Sequence, residues 1–141
     1  MVKFIDTIGS SNYLADLIKG AKDNLILINP SFQFTETIKE QLISLSNQNR
    51  KVTLVLDEDT LQSEETNWLQ SLIGIKTSFR KNLQSRCYLN ENEAIITSTG
   101  LFDFSEQNNA DMGIYISKEK DKNLYASTLA EVNELLKLSY N

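Results

Sequence analysis

The sequence predicts an α/β fold, a mixed β-sheet flanked by helices, in a single domain spanning residues 1–141. Short β-rich runs alternate with amphipathic helical stretches. One of those runs, Asn24-Leu-Ile-Leu-Ile-Asn29, is apolar throughout its middle, as a strand covered on both faces must be. A pair of short β runs around Asn90-Glu-Asn-Glu93 reads as a hairpin, which makes the sheet mixed. At 141 residues the chain is long enough to bury a core without disulfides or metal. One proline and five scattered glycines leave no stretch that reads as a linker.

Val2 to Asp6 is the first candidate strand. Ser10 or Ser11 is a capping residue type for a helix reaching about Lys22, with Leu14, Leu17, Ile18 and Ala21 on one face. Pro30 ends the apolar strand. Thr35 begins a second amphipathic helix with Ile38, Leu42, Ile43 and Leu45 as its stripe, finishing in the polar Asn47-Gln-Asn-Arg50. Lys51 to Leu56 is the next strand. Ser63-Glu-Glu-Thr66 resembles a capped start for a helix to Leu72, with Trp68, Leu69 and Leu72 sharing a face and Gly74 closing it. Ile75 to Arg80, Arg86 to Leu89 and Ala94 to Ser98 are β segments, and Met112 to Ser117 is the last. A helix from Lys120 to about Leu138 carries Leu124, Leu129, Val132, Leu135 and Leu136.

Composition excludes several chemistries. The chain contains no histidine and one cysteine, Cys87, so neither an internal disulfide nor a Cys/His zinc site can form. No cofactor and no metal are expected. The thiol count suits a reducing, cytoplasmic setting, and no apolar stretch approaches the roughly 20 residues that cross a bilayer. A net charge of −5 argues against broad, sequence-independent binding to nucleic acid, while leaving room for a local basic patch. The acidic set Asp57, Glu58, Asp59, Glu64 and Glu65 lacks the spacing and turn glycine of a calcium loop and reads as a solvated loop and helix start. Gly9-Ser-Ser11 and Gly74 are isolated turn or cap signals, not a phosphate-cradling loop. Phe102-Asp-Phe104, with Tyr88 and Phe79, can in principle stack bases, although core or interface packing is the simpler use. The leucine stripe of the last helix reads as packing, because its polar face mixes both charges.

The stretch from Asn82 to Gly113 resembles the catalytic segment of the phospholipase D superfamily. There a strand carries His-x-Lys, a hairpin follows with an acidic residue, the next strand ends in Gly-Ser-x-Asn, and an acidic position precedes the last strand. On this chain Gln84 falls at the histidine, Arg86 at the lysine, and Asn90 or Glu91 at the acidic position. Thr97-Ser-Thr-Gly100 falls on Gly-Ser-x-Asn, retaining Ser98 and placing Gly100 at the asparagine, and Asp111 sits at the later acidic position. Upstream, an apolar strand ending in Asn-Pro-Ser-Phe and one ending near Asp57 extend the resemblance over nearly the whole chain.

The resemblance implies a site without its chemistry. In the family one histidine attacks phosphorus and a second protonates the leaving oxygen, which requires a basic ring nitrogen that titrates near neutrality. Gln84 offers hydrogen bonds but no such basicity, and no histidine elsewhere can replace it. The vestigial site is Gln84, Arg86, Ser98, Gly100 and Asp111, with no catalytic residue. Arg86 either holds a phosphate or serves as a structural ion-pair partner of Asp111 or Glu91. Cys87, its neighbour on a strand, should face the opposite way as an inert core thiol. Single-motif members pair two chains, so the resemblance implies a homodimer with Gln84, Arg86 and Ser98 of each copy near the two-fold axis. The implied role is a binding, regulatory or scaffolding module for nucleic acid or another phosphate-bearing ligand. The alternatives are a phosphodiesterase or nuclease with altered, metal-dependent activity, or a chain that donates one half-site to an active relative.

Overall fold

A strand that is apolar at every position needs cover on both sides, and β2 (Leu25–Ile28) has it, with all four residues buried near the middle of the sheet. The structure is a computed structural model that describes residues 1–30, 36–60, 63–98 and 111–140. Its further elements are β1 (Lys3–Ile5), α1 (Thr7–Gly20), α2 (Glu36–Asn47), β3 (Val52–Asp57), α3 (Glu64–Gln70), β4 (Ile75–Arg80), β5 (Cys87–Asn90), β6 (Glu93–Thr97), β7 (Gly113–Ser117) and α4 (Lys122–Lys137). The strands form one seven-stranded sheet in the order β1-β7-β6-β5-β2-β3-β4. β2, β3 and β4 run parallel, and β5 reverses direction beside β2, with Leu27 opposite Tyr88 and Ile28 opposite Cys87. β5, β6, β7 and β1 pair antiparallel in turn. The mixed, helix-flanked α/β sheet expected from the sequence is the observed fold.

Period-two alternation divides the sheet into two faces. Leu25, Leu27, Leu54, Leu56, Tyr88 and Ile95 pack with residues of α1, α2 and α3 in one buried cluster. Ile26, Ile28, Val55, Cys87, Leu89, Ala94 and Ile116 pack with α4 in the other. Full burial of one such aliphatic side chain contributes about 1.5–3 kcal/mol, so these two layers dominate the stabilisation.

Several boundaries differ from expectation. The first helix begins at Thr7, not at Ser10 or Ser11, because Asp6 is the N-cap and its Oδ1 accepts the Gly9 amide at 2.8 Å. Ser10 lies inside the helix, fully buried. Ile43 of the second stripe is 39% exposed while Leu45 takes the core position, and Leu124 of the last helix is exposed while Tyr125 packs inward. Arg86 precedes β5 instead of opening it. Ser63 caps α3 through the Thr66 amide as read, and Gly74 turns into β4 at φ +84°. Asn90 through Glu93 forms the predicted hairpin, with Asn90 Oδ1 accepting the amides of Asn92 and Glu93. No helix among the described residues is long and apolar enough to cross a membrane.

Candidate functional site

Because β5 and β7 run against the other strands, several chain ends meet at one end of the sheet. β2 delivers Asn29 there, β3 delivers Asp57 and β4 delivers Arg80. Gln84 and Arg86 lead into β5, Ser98 follows β6, and Asp111 leads into β7. The expected site residues Gln84, Arg86, Ser98 and Asp111 therefore share one end of the sheet, where open α/β folds hold their ligands. Gly100 and the aromatic run Phe102-Asp-Phe104 lie outside the described residues.

A buried polar layer supports this end. Tyr88, fully buried, donates its hydroxyl to Asn29 Oδ1 at 3.0 Å, and Asn29 is itself fully buried with its amide bonded to Val55 O. Burial raises the Tyr88 phenol well above its ordinary value; the Arg86 charge acts against that shift, and Cys87 and Asp111 add to it. Ser10 Oγ lies 3.3 Å from Thr97 Oγ1, tying α1 to β6. Ser98 donates its hydroxyl to Asp111 Oδ1 at 2.8 Å and accepts the Met112 amide at 3.2 Å.

Arg86 is half-buried, and its Nε is enclosed without a hydrogen-bond acceptor. Among the described residues it forms no ion pair, so the structural partnership with Asp111 or Glu91 is not what the fold makes of it. Glu91 lies at the far end of β5, where its carboxylate accepts the amides of Lys22, Asp23 and Asn24 at 3.0 to 3.4 Å. Burial pushes its pKa up, and those amides outweigh burial and hold it below the ordinary 4.5. Asn90 is buried beside it, donating to Leu17 O and accepting the Tyr125 hydroxyl on its carbonyl. Both candidates for the acidic motif position therefore do structural work away from the site.

Cys87 faces α4, as alternation requires, and desolvation raises its thiol to about 12, which suppresses the nucleophilic thiolate. Gln84 is exposed and borders two shallow cavities. One, of about 280 Å³, is shared with Pro30, Asp57 and Asp59; the other, of about 240 Å³, with Arg80, Glu131 and Glu134. Asp57 Oδ1 accepts the Leu83 amide at 2.7 Å and so fixes the loop carrying Gln84. Asp57 is pushed up by partial burial and pulled down further by its hydrogen bonds from Asp59, whereas the bond to Asp57 raises Asp59. Among the described residues no group of three or more Asp, Glu or Cys side chains is placed to hold a metal ion. Sequence reading missed Asn29, Tyr88 and the loop-fixing role of Asp57. Their only local signals are an asparagine ending an apolar strand and an aspartate ending the next.

No protein-family model and no curated protein matches the sequence. Solved structures do match in fold. NucT from Helicobacter pylori superposes with a TM-score of 0.81 at 12% identity, over 100% of this chain and 99% of that one. Nuc from Salmonella typhimurium, described as a phospholipase D family member, gives 0.78 at 16% identity over 99% and 95%. The fold is that of the phospholipase D superfamily. The phospholipase D-type architecture also matches TrmBL2, an archaeal chromatin protein described as showing a novel mode of DNA binding, with a TM-score of 0.70 at 12% identity over 99% of this chain and 54% of that one. At these identities the phospholipase D likeness is one of backbone architecture.

Proposed function

We propose that this chain is a catalytically silent phospholipase D-type module that works as a homodimer and binds nucleic acid or another phosphate-bearing ligand through Arg86. The observation that carries the reading is Gln84 in a chain without histidine, set at the same end of the sheet as Arg86 and Ser98. A neutral amide cannot act as nucleophile or proton carrier, whereas a guanidinium with no ion pair among the described residues retains its capacity for a phosphate oxygen. The Ser98 hydroxyl, already polarised by Asp111, is a second contact of suitable chemistry. The likeness to TrmBL2, a chromatin protein described as showing a novel mode of DNA binding, supports the view that this fold occurs in proteins that bind DNA. The vestigial set is Gln84, Arg86, Ser98 and Asp111, together with Gly100.

The test is twofold. Long incubation with DNA or an activated phosphodiester, with several divalent ions supplied in turn, is expected to give no product. Metal-dependent turnover that scales with protein concentration would instead establish the altered-phosphodiesterase reading. In parallel, a labelled oligonucleotide is expected to bind the wild-type protein and to bind Arg86→Ala at least tenfold more weakly. Equal binding by the two proteins would remove Arg86 from the site.

A further inference from the structure

The turn that leads from β7 into α4 lies at the end of the sheet away from Ser98 and Asp111. Glu93 opens β6 opposite Ser117, the last residue of β7, and the Lys118 amide donates to Asn92 O at 2.9 Å. α4 starts beside this turn and carries Lys122, Tyr125, Ala126 and Leu129 at spacings of three and four, so they share one helix face. Those four, with Lys118 and Glu119 of the turn, line a cavity of about 780 Å³. The cavities that Gln84 and Arg86 border measure about 240 to 290 Å³. Sites for small organic molecules enclose about 300–1,000 Å³, and of these four cavities only the one beside α4 has that room.

Its lining is amphipathic. Tyr125, Ala126 and Leu129 supply an apolar wall, and Lys118 Nζ stands 5.7 Å from the centroid of the Tyr125 ring, a cation–π contact that holds the ammonium against that wall. Lys122 precedes Ala126 by one turn. Among the described residues neither lysine forms an ion pair. Of the two carboxylates at the cavity, Glu93 accepts the Tyr115 hydroxyl at 3.0 Å, which leaves Glu119 as one carboxylate against two ammonium groups. We propose that this cavity binds a small amphipathic organic monoanion, a carboxylate or sulfonate head on an aliphatic or aromatic body. The head meets Lys118 and Lys122, and the body covers Tyr125, Ala126 and Leu129. A surplus of one positive charge is matched by a singly charged head. The body removes the apolar wall from water, which an inorganic anion cannot do, while an uncharged hydrocarbon gains nothing from the ammonium groups. The site is separate from Arg86, and the inference does not depend on how that residue is used.

Fluorescence titration with anilinonaphthalene sulfonate, itself an aromatic monoanion, tests this on the whole chain. Wild type is expected to bind it saturably and to release it to decanoate or naphthoate, with decanol and inorganic phosphate at least tenfold weaker as competitors. Release by decanoate alone marks an aliphatic ligand and release by naphthoate alone an aromatic one; either supports the site. The double variant Lys118→Gln with Lys122→Gln should bind at least tenfold more weakly. So should Ala126→Trp, which fills the cavity from an exposed position, while Lys76→Gln, an exposed lysine on β4, should match wild type. Circular dichroism verifies that each variant is folded. Absence of saturable binding by wild type, competition by decanol as strong as by decanoate, or wild-type affinity in both the double variant and Ala126→Trp would overturn the proposal. Amide chemical shifts of the wild type need no variant: those that move on adding decanoate should concentrate in residues 117–129, and movement confined to other segments would overturn the assignment.

Discussion

Gly113 opens β7 where that strand comes closest to β6. A Cβ built there would lie 2.5 Å from Ile96 O and 2.6 Å from Thr97 Cβ, neither of which belongs to a flexible tip. Gly113→Ala is therefore expected to force the strands apart and cost about 1–3 kcal/mol, read as a lowered thermal midpoint. The Tyr88–Asn29 bond makes a second prediction: Tyr88→Phe removes a buried hydrogen bond to Asn29 Oδ1, at a cost of about 1 kcal/mol in denaturant unfolding. These two residues also mark the limit of sequence reading. That Gln84, Arg86, Ser98 and Asp111 lie at one end of the sheet was legible from motif wording, since that wording follows strand ends. Asn29 and Tyr88 meet because β2 pairs with β5 in a register that puts Leu27 opposite Tyr88, and nothing local to either strand specifies that register.

Among the elements, helices were easier to find than to delimit. Asp6, Ser10 and Ser11 are all capping types, and burial of Ile5 immediately before Asp6 decides among them by fixing where the strand stops. Asp6→Ala should cost about 1 kcal/mol by leaving the first-turn amides uncapped, measurable by chemical denaturation. In α4, helical periodicity admits either Leu124 or Tyr125 toward the sheet, and the tyrosine is favoured because its hydroxyl reaches Asn90 O at 2.6 Å. The α1–β2 turn carries a pH signature. The Glu91 pKa is depressed on folding, so its contribution is present above the ordinary 4.5 and is lost as pH falls through the lower folded value. Melting temperatures of wild type and Glu91→Gln should therefore converge on acidification below about pH 4.5, the variant being the less stable at pH 7.

For the molecule as a whole, the division into two apolar layers was legible because strand alternation and helix stripes agree, whereas the order of strands was not, since the sheet is assembled from distant segments. Cys87 reports on the integrity of the α4 layer. In native buffer at pH 8 it should resist a thiol reagent, and in urea it should react along the unfolding transition, because a buried thiol raised to about 12 is attacked only after exposure. The carboxylate that gathers the amides of Lys22, Asp23 and Asn24 belongs to a residue 67 to 69 positions further along. During translation that bend must wait, without its clamp, until the later hairpin has left the ribosome. The turn at Lys22 to Asn24 thus gains its clamp only after Glu91 has been made, and closing so long a loop slows the acquisition of native structure.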